Sequence, residues 1–183
     1  MGRGIAAALA AALLAAGCTT QSEAPLVLEG LHSDARRVEM ATQKAADPHT
    51  GVTTILGPEA PFANGLDFHH FRLRGWLDPR RPTLHDSFQI VVRARFPRRA
   101  YLKQAYSQGR QITARPLDAE RVCGGGCVWY ETVAIPLTEE EMERLAETGF
   151  VFEITGRREN VVVDVPPGHL SGFLTAFRRH RDG

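Results

Sequence analysis

Ser87-Phe88-Gln89-Ile90-Val91-Val92-Arg93-Ala94-Arg95-Phe96 decides the fold class of this chain. Phe88, Ile90, Val92, Ala94 and Phe96 recur with a period of two, and Gln89, Val91, Arg93 and Arg95 occupy the alternate positions. One apolar face and one mixed face mark a half-buried antiparallel strand. Pro97 ends it, because proline has no N–H to give to a ladder.

Similar patterns lie on both sides. Asp67–Trp76 is expected to be a strand with Phe71 and Leu73 on opposite faces. Tyr101–Ser107 and Gln111–Leu117 flank the turn-like Gln108-Gly109-Arg110. Val128–Leu137 aligns Val133, Ile135 and Leu137. Phe150–Thr155 and Asn160–Val165 flank Gly156-Arg157-Arg158-Glu159 as a hairpin. Val38–Thr42 and Val52–Leu56 form a further expected pair around Asp47-Pro48-His49-Thr50-Gly51. Turn signals spaced about 8–12 residues apart argue for an antiparallel sandwich or a barrel-like sheet.

Two short amphipathic helices interrupt the strands. Over about residues 138–148, Thr138 and Glu141 fit a reciprocal capping box, with Met142, Leu145 and Ala146 as the apolar stripe. Gly149 suits the left-handed position after the helix. Over about residues 169–179, Leu170, Phe173, Leu174 and Phe177 share a face. Arg178, Arg179 and Arg181 sit near the negative end of that helix. The expected class is mainly β and antiparallel, in one domain spanning residues 35–183.

The chain opens with Arg3 followed by an apolar run, Ile5–Ala16. That order is the layout of a secretory signal, and a bilayer-spanning helix needs about 20 apolar residues. The run closes Leu14-Ala15-Ala16-Gly17-Cys18. These residues resemble the lipobox of bacterial lipoproteins, although Leu14 stands one position further from the cysteine than the family prefers. The resemblance implies that residues 1–17 are removed, that Cys18 carries acyl chains, and that residues 18–34 form a lipidated tether. Each buried CH₂ contributes about 0.8 kcal/mol, so several chains hold a protein to a membrane essentially permanently. Thr19, where an Asp would favour the inner membrane, implies the outer membrane, with the domain facing the periplasm.

The full chain has 22 basic and 21 acidic residues. Loss of residues 1–17 removes Arg3 and no acid, leaving a formally neutral chain. Phosphate-backbone binding requires a net basic surface, so nucleic acid is not expected as a partner. Four arginine doublets, Arg36-Arg37, Arg80-Arg81, Arg98-Arg99 and Arg157-Arg158, are scattered along the sequence. They read as solvated loop ends, or as a patch facing anionic lipid headgroups.

No string of residues is expected to carry catalysis. His32-Ser33-Asp34 and His85-Asp86-Ser87 hold the residue types of a serine hydrolase. A triad needs three side chains converging on one point, whereas consecutive strand residues alternate faces. Gly124-Gly125-Gly126 lacks the Lys-Ser/Thr of a phosphate loop. Glu139, Glu140, Glu141 and Glu143 read as solvated. His69-His70, with Asp67 before and His85 across the sheet, is the best metal hint, but paired strand histidines point to opposite faces and no zinc spacing is present. Trp76 and Trp129 are candidates for lining a ligand groove. No cofactor is expected.

Cys123 and Cys127 are the cysteines left once Cys18 is acylated, and an exported protein keeps disulfides. Three glycines between them give the short loop its conformational freedom. Redox sites of the thioredoxin kind use two intervening residues at a helix start, and a metal site would need two more ligands.

Residues Tyr130-Glu131-Thr132 through Ile135-Pro136-Leu137, Gly156-Arg157-Arg158, Val165-Pro166 and Gly172-Phe173-Leu174 resemble domains of uncharacterised bacterial envelope lipoproteins, over about residues 85–177. That resemblance implies a compartment and no activity. The expected function is that of a non-catalytic envelope lipoprotein binding a protein or cell-wall partner. The alternative is a small-molecule or metal-binding periplasmic module.

Overall fold

The computed structural model describes residues 33–62, 69–80 and 88–183. The expected signal and nearly all of the tether, together with Asp67, His85, Asp86 and Ser87, lie outside these residues.

The chain is mainly β, with two antiparallel sheets and three helices. In the larger sheet, β1 (Gln43–Ala46), β2 (Thr53–Leu56), β4 (His70–Leu77), β5 (Phe88–Phe96), β9 (Cys127–Leu137) and β8 (Arg115–Cys123) lie side by side in that order, and β3 (Ala60–Pro61) pairs with β4. The smaller sheet runs β11 (Asn160–Val165), β10 (Phe150–Thr155), β6 (Gln104–Ser107), β7 (Arg110–Ile112). Neither sheet closes into a barrel, so of the two expected architectures the arrangement is that of a sandwich.

β5 sits at the centre, paired with β4 on one side and β9 on the other. Its apolar row Phe88, Ile90, Val92, Ala94 and Phe96 is buried. Two residues of its mixed face, Gln89 and Val91, are buried as well. The neighbouring strand explains Gln89: Arg74 lies across it and donates from Nε (3.0 Å) and Nη2 (2.7 Å) to its Oε1. Phe71 and Leu73 share one buried face. This corrects their expected placement, since residues two apart in a strand point the same way.

Three expected strands are redrawn. Residues 38–42 belong to helix α1 (Ala35–Ala41), not to a strand. Asp34 caps it, accepting from the amides of Arg36 and Arg37, so this carboxylate serves a helix start. The hairpin around Asp47–Gly51 does form, but its first strand is β1. Gln111–Leu117 is divided between β7 and β8, where the chain passes from the smaller sheet to the larger. The stretch 101–107 becomes strand only from Gln104. The β6–β7 turn has Gln108 at φ 50° and Gly109 at φ 75°, two successive left-handed residues that suit a tight hairpin.

The helices close one side of the core. α2 (Glu139–Thr148) carries the expected capping box in both directions. α3 (Pro167–Asp182) begins and ends beyond its expected limits. Its stripe seats Phe173 and Phe177 against Phe88, with ring centroids 6.3 and 4.6 Å away. Its other side receives α1. A Cβ on Gly168 would lie 1.8 Å from the Ser33 carbonyl oxygen, and one on Gly172 would lie 2.2 Å from that of Ala35. Two glycines four apart therefore let α1 dock backbone to backbone. Glu139 and Glu143 are solvated as expected, and in addition they pair at the surface with Arg178, while Arg181 also holds Glu139. Buried residues of both sheets and all three helices form one apolar cluster.

Candidate functional site: a cationic–aromatic junction

The loop from Pro97 to Lys103 carries the chain from β5 in the larger sheet to β6 in the smaller. Its shape is set by one carboxylate. Glu131 occupies the inward row of β9 with Val133, Ile135 and Leu137, and is 4% exposed. A carboxylate in such a position has to be hydrogen-bonded. It accepts from the amides of Ala100 (2.6 Å), Tyr101 (3.0 Å) and Leu102 (2.8 Å). Three successive amides converge because Tyr101 adopts φ 60°. Successive N–H groups through a left-handed residue form an anion-binding concavity, here filled by the protein's own side chain. This is why residues 101–103 do not extend β6.

The β10–β11 turn docks onto the same loop. The Arg157 amide donates to the Ala100 carbonyl (2.8 Å), and the Lys103 amide to that of Thr155 (3.0 Å). A Cβ on Gly156 would stand 2.4 Å from the Ala100 oxygen, so the approach requires glycine.

The result brings together Arg99 and Arg157, one from each of two arginine doublets about sixty residues apart in sequence. The Arg99 guanidinium lies 4.7 Å from the Tyr101 ring centroid, and that of Arg157 lies 5.4 Å from it. Arg99 also stands over Trp129 at 5.3 Å. The stack therefore runs Trp129, Arg99, Tyr101, Arg157. Among the described residues, no carboxylate forms an ion pair with Arg98, Arg99, Lys103, Arg157 or Arg158. The Arg99 Nε is buried with no hydrogen-bond partner. Arg99, Tyr101, Lys103, Leu117 and Arg157 line an open groove of about 500 Å³. Tyr101 is 38% and Leu117 46% exposed.

A second set of arginines, on the outer face of the larger sheet, is built differently. Arg93 stacks on Tyr130 and pairs with Glu120 at 3.2 Å. Arg72 faces Glu59 at 3.7 Å. Arg74 stacks on Trp76 and is bound by Gln89. Burial, and then the nearby Arg72, lower the pKa of Arg74. These cations are largely satisfied within the fold, whereas those of the junction form no ion pair among the described residues. The junction can hold an anion beside an apolar group: guanidinium donors already stacked on rings lose little freedom on binding.

Cys18 lies outside the described residues. Cys123 and Cys127 stand opposite each other at the tip of the β8–β9 hairpin at disulfide distance, with sulfurs 2.13 Å and Cα atoms 4.1 Å apart. His69 and His70 do not share a site. His69 is buried between Phe62 and Phe96, its Nε2 donating to the Arg95 carbonyl at 2.9 Å. His70 is half-buried, 3.7 Å from Glu59, and burial lowers its pKa. Among the described residues no cluster of three metal-ligating side chains occurs. Trp129 joins the stack; Trp76 lies on the other arginine-bearing face.

Sequence reasoning missed Glu131, Tyr101 and Gly156. Glu131 did leave a signal, as an acid in the apolar register of a period-two strand. Tyr101 left none. Comparisons with protein-family models, curated proteins and solved structures found no match.

Proposed function

We propose that this chain is a non-catalytic lipoprotein of the bacterial envelope, anchored through Cys18 and held at the outer membrane facing the periplasm. Its domain serves as a binding module for an envelope partner, a protein or the cell wall. One structural observation supports a binding role above the rest: Arg99, Lys103 and Arg157 line one groove with no ion pair among the described residues, and two of them stack on an exposed tyrosine. Fixed donors left unpaired at a surface are features of recognition. The anchor itself is supported by the order of residues 3–18.

The test is direct. Mass spectrometry of the protein extracted from membranes is expected to give an N-terminal Cys18 carrying acyl mass, and Cys18→Ser to leave the precursor uncleaved or released. Cleavage at another position with no acyl mass would overturn the anchor. In the exported protein, Cys123 and Cys127 are expected to resist thiol labelling until a reductant is added; two free thiols would contradict the compartment.

A further inference from the structure

We infer that the junction is a membrane-contact face, on which Arg98, Arg99, Lys103, Arg157 and Arg158 take the phosphates of anionic lipid headgroups while Tyr101 and Leu117 enter the interface between them. The inference deepens the proposed function and rests on its anchor only for nearness to a bilayer.

Charge complementarity comes first. The chain as a whole is almost neutral, with 22 basic and 21 acidic residues, yet Arg99, Lys103 and Arg157 line this one groove without an ion-pair partner among the described residues, and Arg98 and Arg158 adjoin them in sequence. Two carboxylates line the groove: Glu131, engaged by three amides and 4% exposed, and Asp118, exposed and accepting from the Ala119 amide. Glu131 therefore shapes the loop from within, and the three cations of the groove, Arg99, Lys103 and Arg157, outnumber its one exposed carboxylate, with which none of them forms an ion pair. Phosphate oxygens are the bidentate acceptors guanidinium favours.

The apolar residues distinguish a bilayer from a free anion. Tyr101 and Leu117 are among the few large hydrophobic side chains left exposed, and both line the same groove as Arg99 and Arg157. A simple phosphate pocket has no use for an exposed leucine. A headgroup layer does, because tyrosine settles at the boundary between water and hydrocarbon and flanking cations reach the phosphates. The groove is open to solvent, as suits a surface more than an enclosed ligand.

The surface also resists collapse. Tyr101 is held at φ 60° by the Glu131 clamp, and Arg157 is fixed through Gly156 and the Ala100 carbonyl. The cations are therefore presented in place. Each basic residue near an anionic bilayer contributes about 1 kcal/mol, or about fivefold in binding.

The experiment uses the full chain carrying Cys18→Ser, so that no acyl chain contributes. Its binding to vesicles of phosphatidylglycerol mixed with phosphatidylcholine is compared by co-sedimentation with binding to phosphatidylcholine alone. The apolar segment Ile5–Ala16 is common to every arm, so the ratio between vesicle types reports the charged face. The expected result is a preference for the anionic vesicles that falls about fivefold for each arginine removed, in Arg99→Gln with Arg157→Gln, and that weakens with added salt. Arg98→Gln with Arg158→Gln, which leaves the stack and its packing alone, is expected to lose a similar factor and decides the matter if the first variant does not fold. Equal binding to the two vesicle types would overturn the inference, as would a preference that survives both variants. So would a response of Trp129 fluorescence to inorganic phosphate with no vesicle preference, which would mark a free-phosphate site. Failure here leaves the Cys18 anchor standing, because that reading is decided by acyl mass.

Discussion

The centre of the larger sheet and the junction beside it are held together by different physics. In β5 the inward residues Phe88, Ile90, Val92 and Ala94 have no exposed surface, and α3 closes over them with Phe173 and Phe177. Stability there scales with apolar area removed from water. In the junction, one carboxylate organises three amides, one glycine admits a carbonyl, and one tyrosine sits at a positive φ. The core tolerates exchange among residues of similar volume. The junction depends on single atoms, and this is the cost of presenting an exposed cationic face on a rigid support.

Three substitutions sharpen that contrast. Phe173→Ala removes a fully buried ring from the centre of the apolar cluster and is expected to destabilise by about 3–5 kcal/mol, read from urea denaturation with an unchanged slope. Unaltered stability would mean that α3 does not cover the sheet. Glu131→Ala leaves the buried amides of Ala100 and Leu102 without an acceptor. At about 1–3 kcal/mol for each orphaned group, the expected loss is about 3 kcal/mol, although the substitution removes little apolar surface. A loss below about 1 kcal/mol, the size of one ordinary hydrogen bond, would break the distinction between the two regions. Gly156→Ala adds a single methyl group against the Ala100 carbonyl and is expected to cost about 1–3 kcal/mol. Hydrogen exchange should rise at residues 100–103 and not along β5; a uniform rise would show that the junction is not a separate unit.

The same contrast explains what could be read from sequence. Period-two alternation identified β5, β10 and β11, and the Thr138–Glu141 capping box identified α2, because each signal is contained in neighbouring residues. Helix α1 was misread because its docking depends on Gly168 and Gly172, far along the chain. The division of residues 111–117 between two sheets is likewise a long-range event. The junction was illegible for a stronger reason. Arg98-Arg99 and Arg157-Arg158 look like ordinary loop charges until Glu131 and Gly156 bring Arg99 and Arg157 onto one ring. Only Glu131, an acid in an apolar register, stood out of place.

The most direct test of the binding account sets the junction against a comparable exposed surface in living cells. A photoreactive aromatic residue at position 101 replaces Tyr101. A second, at position 151, replaces Val151, which is 53% exposed on the smaller sheet. Both proteins are irradiated in intact cells and their adducts identified by mass. The account predicts phospholipid adducts at position 101 and few or none at position 151. Equal labelling at the two positions, or none at position 101, would contradict it.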